Sequence, residues 1–137
     1  MIGFRWIGLV ILMWLAACSP DAGLPRVTLE QARAEHEAGR VVLIDIREPK
    51  EHASGVAPGA HLLPVSQLSQ RAAEIPSSAD KPVYLICNTQ NRSQAVLGAL
   101  VEQGYKHVHF VQGGMSEWAR RGWPLVAPNA KQAPANP

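Results

Sequence analysis

The stretch Val83-Tyr84-Leu85-Ile86-Cys87-Asn88-Thr89-Gln90-Asn91-Arg92-Ser93 decides how this chain folds. Its first four residues are apolar and β-prone, which predicts a short buried strand. A helix-like segment, residues 93–103, follows the polar residues and stops before a glycine. A strand, a tight loop and a helix start would surround Cys87 with backbone N–H groups that lack partners. Such surroundings favour a thiolate, so the sequence predicts chemistry at an exposed sulfur.

Strands and helices alternate on both sides of this stretch. The strand 41–46 is almost continuously apolar, as expected of a parallel sheet that is covered on both faces. The predicted elements, in chain order, are a helix capped by Thr28 and ending at Gly39, the strand 41–46, a helix 66–75, the strand 83–86, the helix 93–103, the strand 108–111 and a short helix after Gly113-Gly114. This order predicts an α/β fold with an open, mostly parallel sheet and helices on both faces. The helix 93–103 is apolar nearly all round, which predicts that it is buried on every side.

The amino-terminal segment has the pattern of an export signal. Residues 1–17 hold one early arginine and an apolar run that is too short for an ordinary membrane-spanning helix. The ending Leu15-Ala16-Ala17-Cys18 resembles the lipobox of bacterial lipoproteins, which implies cleavage before Cys18 and lipidation of that residue. The alternative is an ordinary signal peptide that is cleaved at the same place.

The lipobox resemblance implies an exported protein that is lipid-anchored to a bacterial membrane and faces the periplasm. Ser19 after the lipidated residue gives a weak preference for the outer membrane. The predicted organisation is a signal peptide 1–17, a tether 18–26, one domain 27–126, and a disordered tail 127–137 rich in Pro, Ala and Asn.

The number of cysteines and the net charge limit the classes of function that are expected. With Cys18 lipidated, Cys87 is a lone thiol in an oxidising compartment, which indicates reactivity. The alternative is that Cys87 is a small buried hydrophobic residue. The formal net charge is +2 and no cluster of Lys and Arg is present, so nucleic acid is not expected as a partner.

Four motifs in this order resemble those of single-domain rhodaneses, a family of sulfurtransferases. They are an Asp-x-Arg strand end in residues 42–49, a Gly-His-Ile-Pro-Gly-Ala-like turn in residues 55–60, a Cys-x4-Arg-Ser loop in residues 87–93, and a Gly-Gly-x-x-x-Trp signature in residues 113–118. The chain departs from the family pattern in two places. Val56-Ala57 stands where His-Ile is usual, and Asn88-Thr89-Gln90 lacks a charge that is often found in the loop.

The resemblance implies a rhodanese-like fold and a thiosulfate sulfurtransferase-like activity. Cys87 would take a sulfane sulfur from a small anionic donor such as thiosulfate, hold it as a persulfide, and pass it to a thiophilic acceptor, which could be a protein. The resemblance implies that no metal or organic cofactor is needed. The protein is expected to be a monomer. The implied active loop comprises Asn88, Thr89, Gln90, Asn91, Arg92 and Ser93. In it Arg92 would bind the anionic donor, or instead pair with a surface carboxylate, and Ser93 would cap the helix.

Other polar and aromatic residues have a catalytic and a structural interpretation. Asp45 and Arg47 lie at a strand end, where we favour a polar network that braces the loops, with Arg47 also attracting anions, over direct catalysis. His107 and His109 would share a strand face, but no third ligand is evident, so we predict no metal site. The tryptophans at 118 and 123 are expected to anchor the packing.

Two other classes of function remain open from the sequence. One is a non-catalytic persulfide carrier or binding module. The other is a Cys-dependent phosphatase or arsenate reductase, but those enzymes have five residues between Cys and Arg, and here four separate Cys87 from Arg92.

Overall fold

The computed structural model describes residues 23–77 and 80–129. The predicted signal peptide, Cys18 and most of the predicted tail lie outside the described residues. Among those that are described, no helix is both long and apolar enough to cross a bilayer.

The described chain alternates five strands with helices. The strands are β1 (Arg26–Val27), β2 (Val42–Asp45), β3 (His61–Leu62), β4 (Val83–Ile86) and β5 (Val108–Val111). The α-helices are α1 (Leu29–Glu37), α2 (Pro49–His52), α3 (Leu68–Arg71), α4 (Asn91–Glu102) and α5 (Gly114–Arg120), and short 3₁₀ helices, Val65–Gln67 and Ala72–Glu74, flank α3. At the start of α1, the Thr28 hydroxyl accepts a hydrogen bond from the Gln31 N–H at 3.1 Å, as its capping role predicts.

All five strands form one parallel sheet in the order β1-β5-β4-β2-β3, which confirms the predicted fold class. The strand that leads to Cys87, β4, is the central one, and its register pairs Asp45 with Ile86. The carboxyl ends of β2 and β4 therefore meet at the same edge of the sheet. Both edge strands, β1 and β3, are only two residues long.

The sheet separates two hydrophobic cores, because successive side chains of a strand point to opposite faces. On β4, Tyr84 and Ile86 belong to the core that also contains the buried residues of α1 and α5. Val83, Leu85 and Cys87 belong to the other core, which α4 covers with Val96, Leu97 and Leu100. The Cys87 side chain therefore points into the same core as Val83 and Leu85, because it continues the alternation of side chains along β4.

Two predicted helices differ from the structure. The helix predicted at 66–75 is divided into a 3₁₀ turn, the four-residue α3 and a second 3₁₀ turn. The prediction that the helix after the loop is buried all round was wrong: Ala95, Ala99 and Val101 of α4 are exposed. The sheet buries only one face of α4, and Ala99 on the outer side lines an open groove with Leu68.

The folded domain extends slightly beyond the predicted limits at its start. Leu24, in the predicted tether, packs against the core on the α4 side, and Arg26 pairs with Phe110 in the sheet. Near its end, the backbone of Val126 forms two hydrogen bonds of 2.9 Å with Val56, in an isolated antiparallel bridge. Val56 itself is fully buried, so its replacement of the usual histidine fits an apolar site.

Candidate active site

Cys87 lies directly after β4, at the carboxyl edge of the sheet. Only 1% of the Cys87 surface is exposed to solvent. The expectation of an exposed sulfur was therefore wrong, because the side chain continues the buried alternation of β4 and packs in the core beneath α4. Asn88 and Thr89, the next two residues, are exposed and lie between that core and solvent.

The start of α5 holds the loop in place. The N–H of Met115 donates to the Cys87 carbonyl at 2.8 Å, and the N–H of Ser116 donates to the Asn88 carbonyl at 2.9 Å. The N–H of Gly113 adds a longer hydrogen bond, 3.3 Å, to the side-chain oxygen of Gln90. The Gly-Gly signature and the cysteine loop, some 25 residues apart in sequence, therefore form one structural unit.

Gly114 permits this contact. Its φ is +64°, a conformation that other residues rarely adopt. A Cβ atom there would lie 2.1 Å from the Thr89 carbonyl oxygen and 2.5 Å from that of Cys87. The absence of a side chain is thus what allows α5 to reach the loop backbone.

Ser93 is the side chain that contacts the sulfur. Its Oγ lies 3.5 Å from Cys87 Sγ and donates a hydrogen bond of 3.0 Å to the Gln90 carbonyl. The predicted capping role was wrong, since α4 begins at Asn91 and its N-cap is Gln90, which places the fully buried Ser93 in the first turn. There its hydroxyl can accept from the thiol or donate to the thiolate.

The loop and the first turn of α4 have free backbone donors. No protein acceptor binds the N–H groups of residues 88–93 within the described part of the chain. Consecutive N–H groups without partners, together with the positive end of a helix dipole, favour an anion. The unpaired backbone donors that the sequence predicted around the loop are therefore present. The Ser93 hydroxyl, which was predicted to cap the helix, lies beside the sulfur instead.

The Arg92 side chain is 37% exposed, and both of its terminal nitrogens already have a carboxylate partner. Its two terminal nitrogens donate to the two carboxylate oxygens of Glu51, each at 2.7 Å. The Arg92 hydrogen bonds are the main reason that the pKa of Glu51 is lowered to about 2. Of the two interpretations of Arg92, the structure supports pairing with a carboxylate.

Glu51 is a residue that the sequence analysis missed. The pattern Glu48-x-x-Glu51 at the start of α2 could have been identified as a capping box, and both of its hydrogen bonds are present. Its partner Arg92 is 41 residues away, so no local signal could have indicated the ion pair.

Asp45 and Arg47 brace the neighbouring loops, as we favoured. Arg47 donates to both oxygens of the fully buried Asp45 and to the carbonyl of Gly55 at 2.9 Å. Because Arg47 is only 5% exposed and already paired, its expected role in attracting anions was wrong. His52, another buried residue that the sequence analysis missed, places Nε2 3.3 Å from Asp45 Oδ1.

Burial of Asp45 would by itself raise its pKa. His52, the Arg47 hydrogen bonds and the Arg47 charge together outweigh that effect, so the pKa of Asp45 is lowered. Asp45 is therefore a carboxylate held ionised by its partners, at the end of the strand next to β4.

The aromatic and histidine residues have structural contacts. Trp118 is 1% exposed, donates through Nε1 to the Pro124 carbonyl at 2.9 Å, and packs edge-on against Trp123, which confirms the packing prediction. His107 binds the carbonyl of Pro76, and His109 contacts the Tyr84 ring. No group of three or more His, Cys, Asp or Glu that could hold a metal occurs among residues 23–77 and 80–129.

A five-stranded parallel α/β domain with a Cys-x4-Arg loop at the carboxyl edge of its sheet defines the class of protein. The model of the Rhodanese-like domain matches residues 28–121, so this chain belongs to the rhodanese-like family. A "Sulfurtransferase" of Allochromatium vinosum is 41% identical over 101 residues, which cover 74% of this chain and 91% of that protein. The family and this relative support sulfur transfer as the general function.

Two further proteins extend the comparison. The "Uncharacterized protein YqhL" of Bacillus subtilis is 39% identical over 92 residues, covering 67% of this chain and 70% of that protein. The crystal structure of a rhodanese-related protein from Thermoplasma volcanium superimposes with a TM-score of 0.67 and 25% identity, covering 76% of this chain and 99% of that one.

Proposed function

We propose that this protein is a sulfurtransferase in which Cys87 accepts a sulfane sulfur from a donor such as thiosulfate and delivers it to a thiophilic acceptor. One observation carries the proposal: Cys87 Sγ, 3.5 Å from the Ser93 hydroxyl, lies at the start of a loop whose consecutive N–H groups have no acceptor among the described residues. Those donors suit a sulfur anion, and the chemistry requires one at Cys87 in both halves of the reaction.

The loading step conserves atoms and charge. The Cys87 thiolate attacks the outer sulfur of thiosulfate, a new S–S bond forms, and the S–S bond of the donor breaks with its electron pair leaving on sulfite. Cys87 then carries a persulfide anion. In the second step a thiophilic acceptor such as cyanide attacks the terminal sulfur, and the thiolate is restored.

The burial of Cys87 defines what can reach it. Because the residue is 1% exposed, a donor must present a single protruding sulfur atom, or the exposed residues of the loop must move aside. The persulfide sulfur would extend from Sγ into the loop, where the N–H groups of residues 88–93 can stabilise its charge.

Persulfide loading tests the proposal. The folded protein is incubated with thiosulfate, and intact mass should increase by one sulfur atom (about 32 Da) that peptide mapping places on Cys87. Cys87→Ala should show neither this gain nor thiosulfate:cyanide turnover, whereas Cys18→Ser, the matched control, should retain both.

The outcomes separate the alternatives. Loading without turnover to cyanide would indicate a persulfide carrier, and absence of loading with any sulfane donor would overturn the proposal. Release of phosphate from an aryl phosphate, dependent on Cys87, would favour the phosphatase class.

We also propose that the protein acts outside the cytoplasm as a lipid-anchored monomer, on the sequence pattern that ends at Cys18. Two or more acyl chains hold a protein stably at a membrane. Metabolic labelling with palmitate should label the wild-type protein and not Cys18→Ser. An unlabelled wild-type protein in the membrane-free fraction would contradict this part of the proposal.

A further inference from the structure

The only cation between residues 87 and 93 is Arg92, and both of its terminal nitrogens bind one carboxylate. The two parallel hydrogen bonds of 2.7 Å to Glu51 form the strongest geometry for an arginine–carboxylate pair. The Glu51 hydrogen bonds are the main cause of the raised pKa of Arg92, and the charge of Cys87 is a weaker cause. Arg92 directly precedes Ser93, whose hydroxyl lies 3.5 Å from Cys87 Sγ, so the ion pair is next to the sulfur site.

Glu51 is held in position and remains charged. Its Oε2 also accepts from the backbone N–H of Glu48 at 2.9 Å, which fixes the carboxylate at the start of α2. Glu48 is itself bound by the N–H of Ser66 at 3.0 Å and by its hydroxyl at 2.6 Å. With a pKa of about 2, Glu51 is ionised throughout the neutral and mildly acidic range.

This arrangement changes the electrostatics that a donor meets. The Arg92–Glu51 pair has no net charge, so an incoming anion finds a neutralised guanidinium, a fixed carboxylate and the Cys87 thiolate. Two unit charges about 4 Å apart interact by roughly 1 kcal/mol in water, and the interaction is doubled for a dianion. The carboxylate thus disfavours thiosulfate, with two charges, more than a donor with one charge.

We propose that Glu51 is a specificity-determining residue that screens Arg92 and directs the site towards sulfane donors of low negative charge. The favoured class comprises organic thiosulfonates and persulfides of neutral thiols, with thiosulfate a slower substrate. The inference rests on the proposed function, because it concerns the donor of the same Cys87 persulfide.

Methanethiosulfonate is a suitable probe because it transfers the same outer sulfur and carries one negative charge. The Cys87 thiolate attacks that sulfur and forms the persulfide. The bond between the outer sulfur and the sulfonyl sulfur breaks, and its electron pair leaves on methanesulfinate. The leaving group thus has one charge where sulfite, from thiosulfate, has two.

Glu51→Gln tests the screening. Glutamine keeps an oxygen that can accept from the Glu48 N–H, but it presents an amide without charge to Arg92. For a dianion, kcat/KM for loading should rise about tenfold, chiefly through a lower KM, because Arg92 becomes available. For methanethiosulfonate the rise should stay below about threefold.

Two further variants complete the design. Glu37→Gln makes the same change of net charge by removing the ion pair with Arg33 on α1, at the opposite end of the sheet. It should leave kcat/KM for loading unchanged with either donor. In the double variant Glu51→Gln/Arg92→Gln, the selective gain for thiosulfate should disappear, because no cation remains to be exposed.

The wild-type protein gives an independent measurement. With the pair neutralised, kcat/KM for thiosulfate should not fall as salt is raised from about 20 to 200 mM, whereas it should fall in Glu51→Gln. An equal change for both donors in the variant, no change for either, or a steep fall with salt in the wild-type protein would overturn the role of Glu51. Absence of a Cys87 persulfide with either donor would instead remove the proposed function.

Discussion

At the scale of single residues, the contact between Ser93 and Cys87 has a direct chemical consequence. The hydroxyl has one proton, which it donates to the Gln90 carbonyl in the structure, 3.0 Å away. When Cys87 loses its proton, the same hydroxyl can turn to the sulfur, 3.5 Å away, and stabilise the negative charge. Ser93 is therefore a positioning residue whose effect depends on the charge of the sulfur.

Ser93→Ala should slow persulfide loading of Cys87 by roughly five- to tenfold at neutral pH, since one hydrogen bond to a charged group contributes about 1 kcal/mol or more. Stopped loading reactions analysed by intact mass give the rate. Ser69→Ala, an exposed change on α3, is the control. An unchanged rate in Ser93→Ala would mean that the hydroxyl serves the Gln90 carbonyl alone.

Individual residues of the site differ in how well the sequence alone predicts them. The proposed nucleophile Cys87, its loop and the bracing pair Asp45–Arg47 could be identified from the sequence because each belongs to a short motif. The Arg92–Glu51 pair was not, because it joins two residues that are brought together only when α2 and α4 pack beside the loop. The depth of Cys87 was misjudged because polar neighbours in sequence do not imply an exposed side chain.

At the scale of elements, the support of the cysteine loop by α5 depends on close backbone approach. Gly114 and Gly122 have nearly the same left-handed φ, +64° and +67°. A Cβ at Gly114 would collide with the loop carbonyls, whereas at Gly122 no described residue beyond its chain neighbours has an atom within 4 Å. The two glycines thus separate the cost of backbone conformation from the cost of the collision.

Gly122→Ala should lower the free energy of unfolding by about 1 kcal/mol, the cost of a left-handed alanine. Gly114→Ala should lower it by at least about 2 kcal/mol more and should reduce Cys87 loading, because α5 must move away from the loop. Urea unfolding and intact-mass loading measure the two effects. Equal destabilisation by the two substitutions would contradict the proposed tight contact.

The elements that the sequence predicted well are those with strong periodic or apolar signals. The strands 83–86 and 108–111 match the structure residue for residue. The first is a continuous apolar run and only His109 interrupts the second, a pattern that indicates inner parallel strands. The edge strand β3 is only two residues long and has no detectable period. The segment at 66–75 carries helical spacing, but successive 3₁₀ turns interrupt it, a local change of winding that spacing alone does not reveal.

At the scale of the whole molecule, buried and paired carboxylates set the response to acid. The pKa of Asp45 is lowered, despite burial, by His52 and Arg47, and that of Glu51 is lowered to about 2 chiefly by Arg92. A carboxyl group whose folded pKa lies below its unfolded value stabilises the fold above the unfolded value. That stabilisation is lost as the pH falls through the folded value.

The free energy of unfolding should therefore change little on account of these groups between pH 7 and about pH 5, and should fall steeply below about pH 4. Urea unfolding at a series of pH values measures it. Glu51→Gln should show a shallower acid slope than wild type, with Glu37→Gln as the control of equal charge. A slope in Glu51→Gln identical to that of the wild type would exclude Glu51 as a contributor.

The depth of Cys87 in the core has a consequence for the molecule in oxidising surroundings. A disulfide requires direct contact between two sulfur atoms, and a residue that is 1% exposed presents almost no surface to a second copy. Burial of Cys87 therefore disfavours covalent cross-linking of neighbouring molecules through this cysteine.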